Sequence, residues 1–113
     1  MTEIPDESLV SLSLEHNFWT WSAQSKVNPI PIKTAKGVYF WDIYGKRYLD
    51  FNSMVMCVNI GHGDERVINA IVKQAQELPF AGPLFATKPR ALLGEKLCQV
   101  VPKGLTKFLY TLG

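Results

Sequence analysis

Cysteine is scarce in this chain: Cys57 and Cys98 are its only two. They lie far apart and match no metal spacing. Two cysteines build no disulfide framework, so free thiols in a reducing compartment are expected. Histidine is as rare, with His16 and His62 alone; that excludes an H-E-x-x-H zinc site, and no metal ligand set is expected. No run of Lys or Arg appears and the net charge is only +2, so neither nucleic acid nor a membrane surface finds a basic patch. No apolar run approaches the length of a transmembrane helix. The first residues, "MTEIPDESLV", are acidic and lack the basic start of a secretory signal, which makes the cytoplasm the expected location. No G-x-S-x-G surrounds Ser22, Ser25 or Ser53.

What is present is globular composition, 47% hydrophobic against 19% charged, on 113 residues. That allows one small domain at most. Ser8 to Ser22 carries apolar residues at partly helical spacing and is read as one short helix. "NPIPIK" (Asn28 to Lys33) holds two prolines and must be extended or edge-like. "GVYFWD" (Gly37 to Asp42) and "KRYLDF" (Lys46 to Phe51) flank a turn in which Gly45 supplies positive φ, a β-hairpin with Val38, Phe40 and Tyr48 on its buried face. Asn52 to Gly63 is irregular and apolar. Asp64 suits a helix N-terminus, and Val67, Ile68, Ile71, Ala75 and Leu78 recur helically until Pro79. A second apolar loop, "FAGPLFATKP", leads to a helix opened by Pro89 and carrying Leu92, Leu93, Leu97 and Val100 on one side. "KFLYT" reads as a final strand. The hairpin is α+β in character, and the helix-then-strand end looks like entry into an α/β sheet.

Catalytic candidates are few. His62, between two glycines, suits a turn or helix start better than a general base, and His16 suits packing or capping. None of the nine lysines lies in a visibly desolvated stretch that would lower its pKa for imine chemistry. Asp50, at a strand end, fits a backbone hydrogen bond better than catalysis. Apolar loops line clefts or interfaces, and Met54, Met56, Phe80, Leu84 and Phe85 suit a pocket wall or a subunit contact.

The stretch "KGVYFWDIYGKRYLDFNSMVMCVNIGHGDERVINAIVKQ" resembles the N-terminal region of class III (omega-type) aminotransferases, pyridoxal-phosphate enzymes of fold type I. Gly37, Asp42, Gly45, Tyr48, Leu49, Asp50, Gly61, His62, Ala70, Ile71 and Gln74 match the family pattern. "EKLCQVVPKGLTKFLYTLG" resembles the helix and strand leading to the family's phosphate loop. The resemblance runs from about His16 to Gly113.

It implies an α/β fold class in which residues 1–60 begin the small domain and residues 61–113 begin the large cofactor-binding domain, cut at the phosphate loop. It implies pyridoxal 5'-phosphate in the complete enzyme, and amino transfer from an amine or amino acid to a keto acid. Phe18, Trp21 and Met56 would line the substrate pocket. Leu84 and Phe85 match a loop that reaches a partner's active site in the family's dimer, and Gly113 would bind the cofactor phosphate. The imine-forming lysine of the family lies far downstream, so no catalytic residue is carried over. The isolated chain is expected to be inactive, completed by its homodimer partner or by a complementing C-terminal chain. The competing reading is a stand-alone, non-catalytic interaction module.

Overall fold

A computed structural model of the chain describes residues 4–111. It forms two compact units, Met1–Asn69 and Ala70–Gly113.

The first unit opens with a single 3-10 turn, Asp6–Ser8, and helix α1, Leu9–His16. The expected helix to Ser22 stops six residues early. Asn17 turns extended, at φ −124, and its backbone N–H and side-chain amide both donate to Ser13 O. The polar side chain thus offers the backbone an alternative to another helical turn.

A three-stranded antiparallel sheet follows, in the order β1 (Ile32–Lys36), β2 (Tyr39–Asp42), β3 (Arg47–Leu49). The β2–β3 hairpin matches expectation, and the extended segment after the prolines runs into the edge strand β1. Its register slips between Ile32 and Thr34. Lys36 faces Tyr39 across a two-residue loop whose first position, Gly37, has φ +60. A turn of that hand suits the twist of two paired strands and favours glycine there. Val38, expected on the buried face, is the other loop residue and stands exposed: the strand starts only at Tyr39.

The hairpin is organised around Phe40 and Asp42, the two buried residues of the described chain. Phe40 lies opposite Tyr48 in register, and the rings stack 4.9 Å apart at 6°. Directly opposed aromatics are a strong cross-strand pairing. Asp42 Oδ1 accepts the N–H groups of Tyr44 and Lys46 at 2.9 Å, and its Oδ2 accepts the Tyr48 hydroxyl at 3.0 Å. Gly45, at φ +81, lets the chain turn tightly enough for this. Burial pushes the Asp42 carboxyl up, but the bonds from Lys46 N–H, Tyr48 OH and Tyr44 N–H outweigh it and hold the group below the ordinary aspartate range.

Helix α3, Glu65–Glu77, starts where expected, with Asp64 Oδ1 accepting the Arg66 N–H at 2.9 Å. The boundary between the two units falls within it. In the second unit, α4 (Lys88–Cys98) begins after Thr87 with Pro89 in its first turn, as the sequence indicates. The expected final strand does not form: residues 107–111 pair with no neighbour among the described residues. A parallel strand has to be flanked by others to complete its ladder. The segment instead brings the Tyr110 hydroxyl to 3.5 Å from where a Cβ on Gly94 of α4 would stand.

The accessible surface is 10387 Å². Val67, Ile68, Ile71 and Val72 on α3 and Leu92 and Leu93 on α4 are all exposed. The helices have their apolar stripes, but this chain does not cover them.

Two outcomes test the hairpin core. Phe40→Ala should cost about 3 kcal/mol in urea unfolding. Because folding makes Asp42 more acidic, its stabilisation is complete above the unfolded-state value and fades as pH falls through the folded one. Acid unfolding should therefore set in below about pH 4, and Asp42→Asn should flatten that limb relative to neutral pH.

Candidate functional site

After β3 the chain enters α2, Ser53–Met56, a single turn that winds left-handed. Ser53, Met54, Val55 and Met56 have φ of 52, 46, 59 and 63. None is glycine, and a non-glycine residue in this region costs about 1–2 kcal/mol; for the β-branched Val55 the conformation is an outright outlier. Such strain persists only where the surroundings impose it.

The surroundings here are specific. Asp50 Oδ1 accepts the Met54 N–H at 3.0 Å, and Asn52 Oδ1 accepts the Val55 N–H at 3.3 Å. Asn59 Nδ2 donates to Met56 O at 2.8 Å, and Cys57 N–H donates to Ser53 O at 2.9 Å. Asp50 Oδ2 meets His62 Nε2 at 2.7 Å, with the two side chains only 5% and 14% exposed. The Met54 N–H bond is the largest influence on Asp50; with the His62 contact it holds the carboxyl below the ordinary range despite partial burial. His62 is in turn fixed by two backbone bonds to Gly37: His62 N–H to Gly37 O at 2.7 Å and Gly37 N–H to His62 O at 2.9 Å. Gly61, at φ +90, permits this approach, since a Cβ there would stand 3.1 Å from Gly37 O.

A second loop is clamped by one side chain. Gln24 Oε1 accepts the Trp19 N–H at 2.9 Å, while its Nε2 donates to Trp19 O at 2.7 Å and Ser22 O at 3.1 Å. Within this loop Trp21 takes φ 58 and projects almost fully into solvent.

The pocket residues expected from sequence divide between the units. Phe18, Trp21 and Met56 belong to the first unit, and all are exposed, Phe18 to 95%. Trp21 and Met56 share the left-handed backbone, a property their sequence does not advertise. Leu84 and Phe85 lie in the second unit, on a turn closed by the Phe85 N–H to Gly82 O bond at 3.1 Å. Phe85 lines a hollow of about 540 Å³ with Leu78, Phe80, Ala81, Gly82 and Thr87, while Leu84 stands outside that lining, 94% exposed. Gly113, the expected phosphate contact, lies outside the described residues. Asp50 fulfils its expected backbone bond. Its pairing with His62 was missed, and the Asp-x11-His spacing across an irregular loop gives no pattern from which to find it. The same holds for Gln24.

The described residues do not fit pyridoxal phosphate by themselves. All nine lysines are exposed, whereas an imine-forming lysine needs desolvation or a cationic neighbour to lower its pKa. The backbone amides of a phosphate loop are not assembled among them. Nor does any group of three His, Cys, Asp or Glu among the described residues form a metal site. What this arrangement does is hold apolar side chains on rigid, strained backbone.

Val55→Gly should relieve that strain and raise the unfolding free energy by about 1 kcal/mol, read from the urea midpoint. A lowered midpoint would show that α2 is not strained in the folded protein.

Comparison with known proteins gives a consistent result. The sequence model of the family "Aminotransferase class-III" matches residues 20–113. Adenosylmethionine-8-amino-7-oxononanoate aminotransferase of Aquifex aeolicus is 33% identical over 98% of this chain and 25% of its own length. Putrescine–pyruvate aminotransferase of Pseudomonas aeruginosa is 37% identical over 71% of the chain and 18% of its own length. Among solved structures, taurine:2-oxoglutarate aminotransferase of Bifidobacterium kashiwanohense, in complex with PLP and glutamate, superposes with a TM-score of 0.83 at 38% identity, covering 88% of this chain and 22% of that one. The chain thus spans a quarter or less of the length of these relatives.

Proposed function

The chain belongs to the class III aminotransferase family, and we propose that it supplies the N-terminal part of an enzyme that moves an amino group from an amine or amino acid to a keto acid. The observation that carries this reading is the family match over residues 20–113. The likeness in fold supports it: a TM-score of 0.83 to a taurine:2-oxoglutarate aminotransferase. Pyridoxal 5'-phosphate is the cofactor of this reading and would supply the electron sink for the transfer. The lysine and most of the phosphate loop would come from the part of the fold this chain does not span.

The chain's own contribution is shape. Phe18, Trp21 and Met56 form one wall of the substrate pocket, and Leu84 and Phe85 extend a loop toward the active site of a second subunit. Residues 1–60 belong to the small domain in this reading, and residues 61–113 open the large one. The uncovered apolar stripes on α3 and α4 support completion by further structure, since apolar patches of this extent mark interfaces. That structure is the rest of the fold, on the same polypeptide or on a complementing chain, in a homodimer. A cytoplasmic setting suits two exposed free thiols.

The test has two arms. The isolated chain, mixed with pyridoxal phosphate, should show no visible band that borohydride bleaches and no lysine adduct. Supplied with the remaining fold, it should turn over amine and keto-acid pairs. A stoichiometric lysine adduct with turnover in the isolated chain would overturn the division of labour; a completed assembly inert toward all amines and amino acids would overturn the function.

A further inference from the structure

We propose that Asp50 and His62 are positioning residues for substrate selection: a half-buried clamp that locks α2 in its left-handed form and thereby sets where Met56 stands. This rests on the reading of Met56 as pocket wall.

The clamp joins three segments. Asp50 follows β3, and its N–H donates to Val38 O at 2.9 Å, fixing it to the β1–β2 loop. One carboxylate oxygen takes the Met54 N–H inside α2, and the other takes His62. His62 is tied to Gly37, so the ring cannot follow if the turn moves. An ionised carboxylate only accepts hydrogen bonds, so Nε2 of His62 must carry the proton. Both side chains are largely enclosed; Asp50 engages both the Met54 N–H and His62, and the His62 ring engages Asp50 through Nε2. They act on the reaction through the turn and touch no reacting group.

Asn52, Asn59 and the Met56 and Cys57 amides hold bonds within the turn, and the Asp50 carboxylate is what ties it to His62. Four consecutive left-handed residues without a glycine relax toward the right-handed or extended regions once their restraints go. Met56 is the last of the four and is exposed, so relaxation would swing it through the space a substrate side chain would occupy. The consequence falls on the binding of the amino donor more than on turnover.

The experiment uses the assembled enzyme carrying this chain, as wild type, Asp50→Ala, His62→Ala and His62→Gln, with circular dichroism to establish folding. Two readouts are taken: the Met54 amide in a 15N-methionine spectrum, assigned with Met54→Leu, and KM and kcat for a small and a bulky amine. Asp50→Ala and His62→Ala should shift the Met54 amide upfield and raise donor KM about tenfold, unequally for the two amines, with kcat changed less than about threefold. The Gln side-chain amide can donate to the same carboxylate oxygen, so His62→Gln should restore most of both readouts. Should His62→Ala fail to fold, His62→Asn, too short to reach Asp50, is compared with His62→Gln. An unmoved Met54 amide in folded Asp50→Ala overturns the clamp. A shifted amide with unchanged donor KM overturns the link from clamp to substrate. A wild-type assembly without transamination overturns the functional reading alone, because the amide still reports the clamp.

Discussion

The carboxylate of Asp50 accepts the Met54 amide with one oxygen and meets the His62 ring with the other, and through those bonds three stretches of backbone become one body. Val55 and Met56 of the left-handed turn stand exposed, so apolar packing does little to hold it. Polar bonds in a small, half-enclosed space do it instead. Such bonds are directional, so they fix conformation more sharply than packing does, and they explain how Ser53 to Met56 stay in a region of φ and ψ that their side chains disfavour. The hairpin next door uses the same device: Asp42 gathers two amides and a hydroxyl, and the Phe40–Tyr48 stack is laid over that frame.

Against this local order stands the poverty of the core. Among the described residues Phe40 is the one buried hydrophobic residue, and it is still 9% exposed. A protein of this size gains most of its stability from burying apolar surface, and here that gain has largely not been taken. Order is concentrated where polar bonds and tight turns specify the chain, in the sheet and its loops. Helices α3 and α4 are formed, and apolar residues on both stand exposed. Membership of a family whose members are about four times as long, or more, gives that exposure a natural account.

Much of the local structure was legible in the sequence. The β2–β3 hairpin followed from β-rich runs around Gly45, and α3 and α4 from apolar period, an aspartate cap and a proline in the first turn. Strand β1 was harder, because Lys33, Thr34 and Lys36 do not alternate with apolar residues as a half-buried strand would. The helix at Leu9 was read too long because its aromatic residues continue past Asn17, where a side-chain amide ends it. The final strand failed for a non-local reason, since a strand is made by its neighbours. The family was legible through the run of glycines and "YLD" to "GHG". The left-handed backbone under Trp21 and Met56 was not, since no glycine marks it. Conformation imposed by a distant aspartate or glutamine leaves no local trace.

The irregular edge of the sheet has a use of its own. Strand β1 follows Pro29 and Pro31, carries Lys33 and Lys36, and slips register between Ile32 and Thr34, while β3 at the other side is three residues long. Neither border offers a straight, uncharged row of amides and carbonyls to an incoming chain. A polypeptide that leaves so much apolar surface bare while awaiting its cover is at greatest risk from strand-by-strand stacking into fibrils. Its sheet is built as a poor template for that growth, so the sticky faces are left to the helices, which bind by shape and release by shape.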